Sequence, residues 1–215
     1  GILIKTGSNR SLFFPDHWLV RVGYLLSMLI IGFWLMDTSL PRVQSRASEL
    51  YCSQRLEEVI EQRLFLSGNQ ELLFELIEQY ANACNLDPEN ADLWIGRSIA
   101  NNQRYFCNPA LFYAIALESI DYAEKALAIS PEYARAWSQL GVAYAMSGNK
   151  EFAEEAFLRA LELAPHSSNT HYYWAAFASE FEDKIDLAKR SVERALEINP
   201  ENKAALRLSR KLSIL

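Results

Sequence analysis

Residues 134–167 read ARAWSQLGVAYAMSGNKEFAEEAFLRALELAPHS. Trp137, Leu140 and Tyr144 stand at i, i+3 and i+7, one face of a helix. Ser147-Gly148-Asn149 interrupts that helix. Ala153, Phe157 and Ala160 line one face of a second helix. Gly141 and Ala153 are small where two helices of one unit approach closely. Pro165 ends the second helix, because it has no N–H to donate and disfavours a helical residue before it. One such hairpin cannot bury its apolar face alone, so it requires stacked neighbours.

The rest of the chain supplies them. Pro88, Pro131, Pro165 and Pro200 are spaced at 43, 34 and 35 residues. Trp94 follows Pro88 at the same six-residue distance at which Trp137 follows Pro131. In the unit 168–202, His171 stands for the tryptophan and Trp174-Ala175 for Leu-Gly. Ala188, Val192 and Ala195 fill its second helix, with one residue inserted near Glu182-Asp183. The unit 89–131 holds about nine extra residues near 103–111; its first helix is expected to run to Asn101, to break over 102–108, and to give way to a helix restarted by Pro109. The unit 46–88 repeats the Ser-Gly-Asn tripeptide at 67–69 but lacks the tryptophan and the Leu-Gly pair. Residues 203–215 read as one helix with Leu208, Leu212 and Leu215 on one face and Lys203, Arg207, Arg210 and Lys211 on the other, a polar-backed cap for an open end.

The run Trp137, Leu140-Gly141, Tyr144, Ala153, Phe157, Ala160 and Pro165 is W-x2-L-G-x2-Y…A-x3-F…P, and resembles the tetratricopeptide (TPR) repeat. The resemblance implies an all-α fold, an α-solenoid of helix-turn-helix repeats, and a partner protein or peptide held in the concave groove that the first helices line. Projection of the helical period around Trp137 places Arg135, Ser138, Val142 and Ala145 on that side. The matching residues are Asp92, Ile95 and Ile99 before them, and Asn169, Tyr172, Ala176 and Ser179 after. One TPR class clamps a C-terminal carboxylate with Lys, Asn and Arg; here Arg135 is the one cation in the set, so the chain departs from that pattern. The groove is mixed and partly apolar, which fits a peptide or a partner helix.

Residues 18–36, WLVRVGYLLSMLIIGFWLM, form the second feature. As a helix the run would span roughly 28 Å, close to the hydrocarbon thickness of a bilayer. Ten of its residues are Leu, Ile, Val or Phe, and together they favour insertion by roughly 3–6 kcal/mol. Arg21 opposes insertion but lies near the end, where it can snorkel. Trp18 and Trp34 sit where interfacial aromatics belong. The expected organisation is an N-terminal flank (1–17), a single transmembrane helix (18–36), a linker broken by Pro41 (37–45), repeats (46–202 in units 46–88, 89–131, 134–167 and 168–202), and a cap (203–215). The expected location is a membrane, single-pass, of the bacterial inner-membrane kind. Arg42, Arg46 and Arg55 on one side balance Lys5, Arg10 and Arg21 on the other, so the charges favour neither orientation.

Net charge is −6; residues 1–47 carry +3, which leaves −9 for the repeats. An acidic repeat domain argues against nucleic acid as a partner. The sequence has no phosphate loop, H-E-x-x-H or G-x-S-x-G, so neither catalysis nor a cofactor nor a metal is expected. Cys52, Cys84 and Cys107 have no metal spacing and read as buried or idle thiols. His171 reads as a packing or capping residue, and the pairs Glu154-Glu155 and Glu182-Asp183 as solvated helix faces. Tyr105, Phe106, Phe112 and Tyr113 crowd the extra residues of the unit 89–131, where a solvated loop would not need them. They are expected to pack within the domain or to form a second contact outside the groove. The function these features imply is a membrane-anchored interaction scaffold. The alternative is the terminal repeat segment of a larger polytopic enzyme resembling O-antigen ligases, with Gly1 in place of Met marking processing or an upstream remainder.

Overall fold

A computed structural model describes residues 16–61 and 70–213; before residue 43 it describes side chains only at 27, 28, 30, 31 and 40, and that of residue 61 not at all. Among the described residues the chain is all-α: α1 (Asp16–Glu61), α2 (Gln70–Leu86), α3 (Ala91–Cys107), α4 (Phe112–Ile129), α5 (Ala134–Ser147), α6 (Lys150–Leu163), α7 (Ser168–Ala178), α8 (Ile185–Ile198) and α9 (Lys203–Leu212). Two compact units divide the chain, Gly1–Val43 and Gln44–Leu215.

In the first unit the described side chains of Met28, Ile30, Ile31, Leu40 and Val43 are exposed. Most of the expected span 18–36 lies outside the residues whose side chains are described. Among the described residues no helix is long and apolar enough to cross a membrane. The expected linker 37–45 is helical, since α1 continues past Pro41. The Ser67-Gly68-Asn69 tripeptide and Leu215 fall outside the described residues.

The second unit is a stack of hairpins built from one set of local bonds. Each second helix closes when the residue before the proline donates its N–H to an alanine carbonyl four residues back: Asp87 to Ala83, Ser130 to Ala126, Ala164 to Ala160, Asn199 to Ala195. The carbonyl of that same residue then accepts from the N–H three residues on, at Asn90, Tyr133, Ser167 and Asn202. Proline in second place in this turn has no N–H to waste and the right φ. These residues precede the next first helix, and Asn90, Ser167 and Asn202 cap it with side-chain acceptors. Three of the four also reach back to the preceding first helix: Asn90 to Glu49, Tyr133 to Asp92, Asn202 to Ser168 and Asn169. The hairpin of α1 and α2 therefore closes as the others do, despite its missing tryptophan.

Stacking follows from small residues. Ala83, Ala126, Ala136, Ala143, Ala160 and Ala195 are buried at helix contacts. An ideal Cβ on Gly141 would lie 2.8 Å from the Phe157 ring, so only glycine allows this contact. Gly148 has φ +85° and stops α5: its N–H bonds to Ala145 O, and the Asn149 N–H to Tyr144 O, the paired bonds of a Schellman stop. The first helices α3, α5, α7 and α9 touch in sequence, α3 with α5, α5 with α7 and α7 with α9, whereas among the described residues α4, α6 and α8 make no comparable contacts with one another. The stack therefore curves with the first helices on the inside.

One boundary departs from expectation. The first helix of the unit 89–131 does not end at Asn101; α3 runs on to Cys107. Polar bonds hold the extra turn and a half on α4. Asn101 Nδ2 donates to Ile115 O and Ser119 Oγ, and Arg104 Nη1 bridges Asn101 Oδ1 and Glu118 Oε2. A short 3-10 turn, Pro109–Leu111, then leads into α4.

Candidate binding groove

Two cavities lie on the inner side of the stack. One, of about 500 Å3, is polar and is bordered by Glu57, Ile99, Arg135, Ser138 and Asn169, among others. The other, of about 540 Å3, is aromatic. Its walls come from the extended end of α3 and start of α4 (Asn102, Tyr105, Phe106, Phe112), from α5 (Val142, Ala145, Met146), and from α6 and α7 (Phe157, Tyr172, Ala176, Phe177). Tyr173 borders both.

Eight of the eleven residues projected onto the groove fall on these walls: Ile99, Arg135, Ser138 and Asn169 on the polar cavity, and Val142, Ala145, Tyr172 and Ala176 on the aromatic one. Three do not. Ile95 is fully buried in the core, because α3 also turns this position toward its neighbours. Asp92 accepts from the Tyr133 hydroxyl and lies 3.9 Å from Arg135, so it serves the repeat junction. Ser179 donates to Ala176 O and ends α7. Burial first, then the bond to Asp92, push the Tyr133 hydroxyl up to about 12. Burial also raises the Tyr172 hydroxyl above its ordinary value.

Of the four aromatics expected either to pack within the domain or to form a second contact outside the groove, three line the aromatic cavity. Tyr105 and Phe106, on the extension of α3, and Phe112, at the start of α4, stand on the aromatic wall; Tyr113 is exposed and is not on the wall. The rings are arranged in pairs: Tyr105 meets Phe106 edge-on at 5.4 Å, Tyr172 meets Tyr173 at 5.3 Å, and Phe157 meets Phe177 at 5.2 Å. Sequence reading missed Tyr173, Phe177 and Asn102. Tyr173 follows Tyr172 in a doublet that could have signalled it, whereas Asn102 was hidden by the expected helix break.

Two of the singled-out ionisable groups, His171 and Glu154, have structural partners. His171 Nε2 bonds to Pro165 O at 2.9 Å, as Trp94 and Trp137 bond Pro88 O and Pro131 O. Glu154 receives both bonds of the Lys184 ammonium at 2.6 Å. Among the described residues no three His, Cys, Asp or Glu side chains gather as a metal site would require.

Models of the tetratricopeptide repeat match residues 134–167 and 172–202. Those two stretches are TPR repeats. The crystal structure of a thermophilic TPR protein from Thermus thermophilus is similar, with a TM-score of 0.66 at 18% identity, covering 91% of this chain and 97% of that one. At that identity the likeness is one of fold. Human Protein O-mannosyl-transferase TMTC3 is 26% identical over 138 residues, 61% of this chain. The match spans 15% of that relative's length.

Proposed function

We propose that this chain is a membrane-anchored TPR scaffold that holds a segment of a partner protein along its inner face and performs no chemistry of its own. The observation that supports the groove reading is that Tyr173 borders both the polar and the aromatic cavity. A photo-crosslinking residue at Tyr173, introduced in cells that make the protein, tests it. One discrete adduct is expected from Tyr173 and none from Leu158, an exposed residue of α6. The reverse pattern would place the partner on the second helices.

The membrane anchor rests on the sequence of residues 18–36 and on the exposed Met28, Ile30 and Ile31 within it. The protein is expected to remain in the membrane pellet after a carbonate wash, with the repeats bound to it through this segment. Complete release would remove the anchor from this reading. The bacterial inner membrane is the location we assign to it.

A second reading follows from the partial match to a transferase: the repeats would be the terminal segment of a larger membrane enzyme. The coding sequence upstream of Gly1 separates the two, since further membrane helices there favour the enzyme and a start codon favours the scaffold.

A further inference from the structure

We propose that copies of this chain join end to end, with the outer face of α9 in one copy seated on the outer face of α2 in the next. This contact is separate from the groove reading and uses neither cavity.

The two faces carry opposite charges in single-sign rows. The helix α2 has three glutamates and no lysine or arginine. Glu71, Glu75 and Glu78 are exposed, and Phe74, 48% exposed, stands among them. Glu71, Phe74, Glu75 and Glu78 fall at i, i+3, i+4 and i+7, one face of a helix. The helix α9 has four cations and no carboxylate. Lys203, Arg207, Arg210 and Lys211 are all exposed, while Leu208 and Leu212 are buried in the core.

Outer faces elsewhere in the stack are solvated differently. On α6 and α8 a cation pairs with a carboxylate of the same helix, Arg159 with Glu162 and Arg194 with Glu197, each at 2.8 Å. On α2 and α9 like charges stand at i, i+4 instead: Glu71 with Glu75, Lys203 with Arg207, Arg207 with Lys211. Such pairs repel. Among the described residues no cation lies within ion-pair distance of Glu71, Glu75 or Glu78, and no carboxylate within that distance of Arg207 or Arg210. Lys211 lies 3.7 Å from Glu180, with both side chains exposed. A facing row of opposite sign relieves the repulsion in both helices.

Spacing matches as well as sign. Glu71, Glu75 and Glu78 are separated by four and then three residues, and so are Lys203, Arg207 and Arg210. Laid side by side, the two helices set three carboxylates against three cations along roughly 10 Å. Phe74, in the middle of its row, offers a guanidinium an aromatic face to stack on. The two rows do not meet within one chain. The helix α2 packs on α3, α9 packs on α7 and α8 at the other end of the stack, and α2 and α9 make no comparable contact. A second copy presents the complement of each row. The contact joins two different surfaces, so it builds open rows or rings.

Sedimentation velocity of the full chain, in an uncharged detergent matched in density to the solvent, tests this. Wild type is expected to grow past a dimer as its concentration rises. It should fall back to single chains when salt is raised from about 0.05 to 0.5 M. Arg207→Glu with Arg210→Glu, and separately Glu71→Lys with Glu75→Lys, should each weaken association about tenfold or more and leave the melting temperature unchanged. Mixed, these two variants should form pairs through the intact α2 row of the first and the intact α9 row of the second. Arg159→Glu with Arg194→Glu, which has the same net charge as the α9 variant, should assemble as wild type does. Wild type that stays single at every concentration overturns the proposal. So does assembly that survives either reversal, or a mixture that stays unpaired. If a double reversal lowers the melting temperature, Arg210→Gln and Glu75→Gln decide in its place, and association unmoved by both overturns the proposal. If wild type stays single and binds a short-chain phosphatidylglycerol that the α9 variant does not, the α9 row faces lipid, and the proposal is again overturned.

Discussion

His171 Nε2 lies 2.9 Å from Pro165 O, six residues earlier, just as Trp137 Nε1 lies 2.8 Å from Pro131 O. A carbonyl can only accept, so the imidazole hydrogen sits on Nε2. What this position requires is a ring donor that ties the first helix to the preceding turn, and histidine meets the requirement without the indole. His171→Trp should keep the bond and leave stability unchanged or raised. His171→Phe keeps a ring and loses the donor, and should cost about 0.5–1.5 kcal/mol. Urea unfolding of both variants checks this; equal midpoints for the two would show that the bond contributes nothing.

Gly141 is expected to tolerate no side chain. An added Cβ would meet Phe157 at 2.8 Å, and Phe157 is itself held by Phe177 and Trp174 at 5.2 and 6.4 Å. Overpacking of this kind costs about 1–3 kcal/mol, and the helix propensity gained from Gly to Ala returns about 1 kcal/mol. Gly141→Ala should therefore destabilise. Gly96→Ala should do the same, because its Cβ would strike the buried Tyr80 ring. A rise in the melting temperature of either would mean the ring has room to move.

Burial holds the Cys52 and Cys84 thiols at about 11 against an ordinary 9.0. The unfolded chain gives up those protons first. Their contribution to stability is thus fully present below about pH 9 and is lost as the pH rises toward 11. Under reducing conditions the urea midpoint should fall from pH 8 to 10. The double variant Cys52→Ala, Cys84→Ala should show a flatter fall over the same range; an equally steep one would assign the loss to other groups. In the native protein an alkylating reagent should modify Cys107 first, because it is the one thiol of the three that is partly exposed.

Much of this was legible in the sequence because it is local. The proline spacing, the Trp-to-Pro interval and the small residues at 141 and 153 each act within one hairpin, and the closing bonds fall where the spacing puts them. The helical period also marked eight residues that border the two cavities. Ile95 escaped because an apolar residue on a first helix can face the core as readily as the groove, and periodicity does not separate the two. The length of α3 escaped for a different reason. Asn102 and Gln103 read as a break, and the turn survives only through bonds from Asn101 and Arg104 to residues of α4, fourteen and more positions later. That one misplaced boundary hid Asn102 and separated the aromatic residues from the cavity three of them line.

Tyr105 and Phe106 are about half exposed at the mouth of the aromatic cavity. Replacing both with Ser removes little buried surface, so stability should stay within about 0.5 kcal/mol while partner binding weakens about tenfold or more. A melting temperature lowered by several degrees, with binding intact in the folded fraction, would make them core residues and not a contact surface.

The central claim is that the partner lies on the inner face. Carbon-13 labelling of alanine methyls in the full chain tests it most directly. Ala145 and Ala176 sit in the aromatic cavity, whereas Ala128 borders a separate cavity between α4 and α6. On titration with the bound segment, the Ala145 and Ala176 methyl signals should shift in a saturable way while Ala128 stays fixed. A saturable shift at Ala128, with Ala145 and Ala176 unmoved, would contradict the claim and place binding on the second helices.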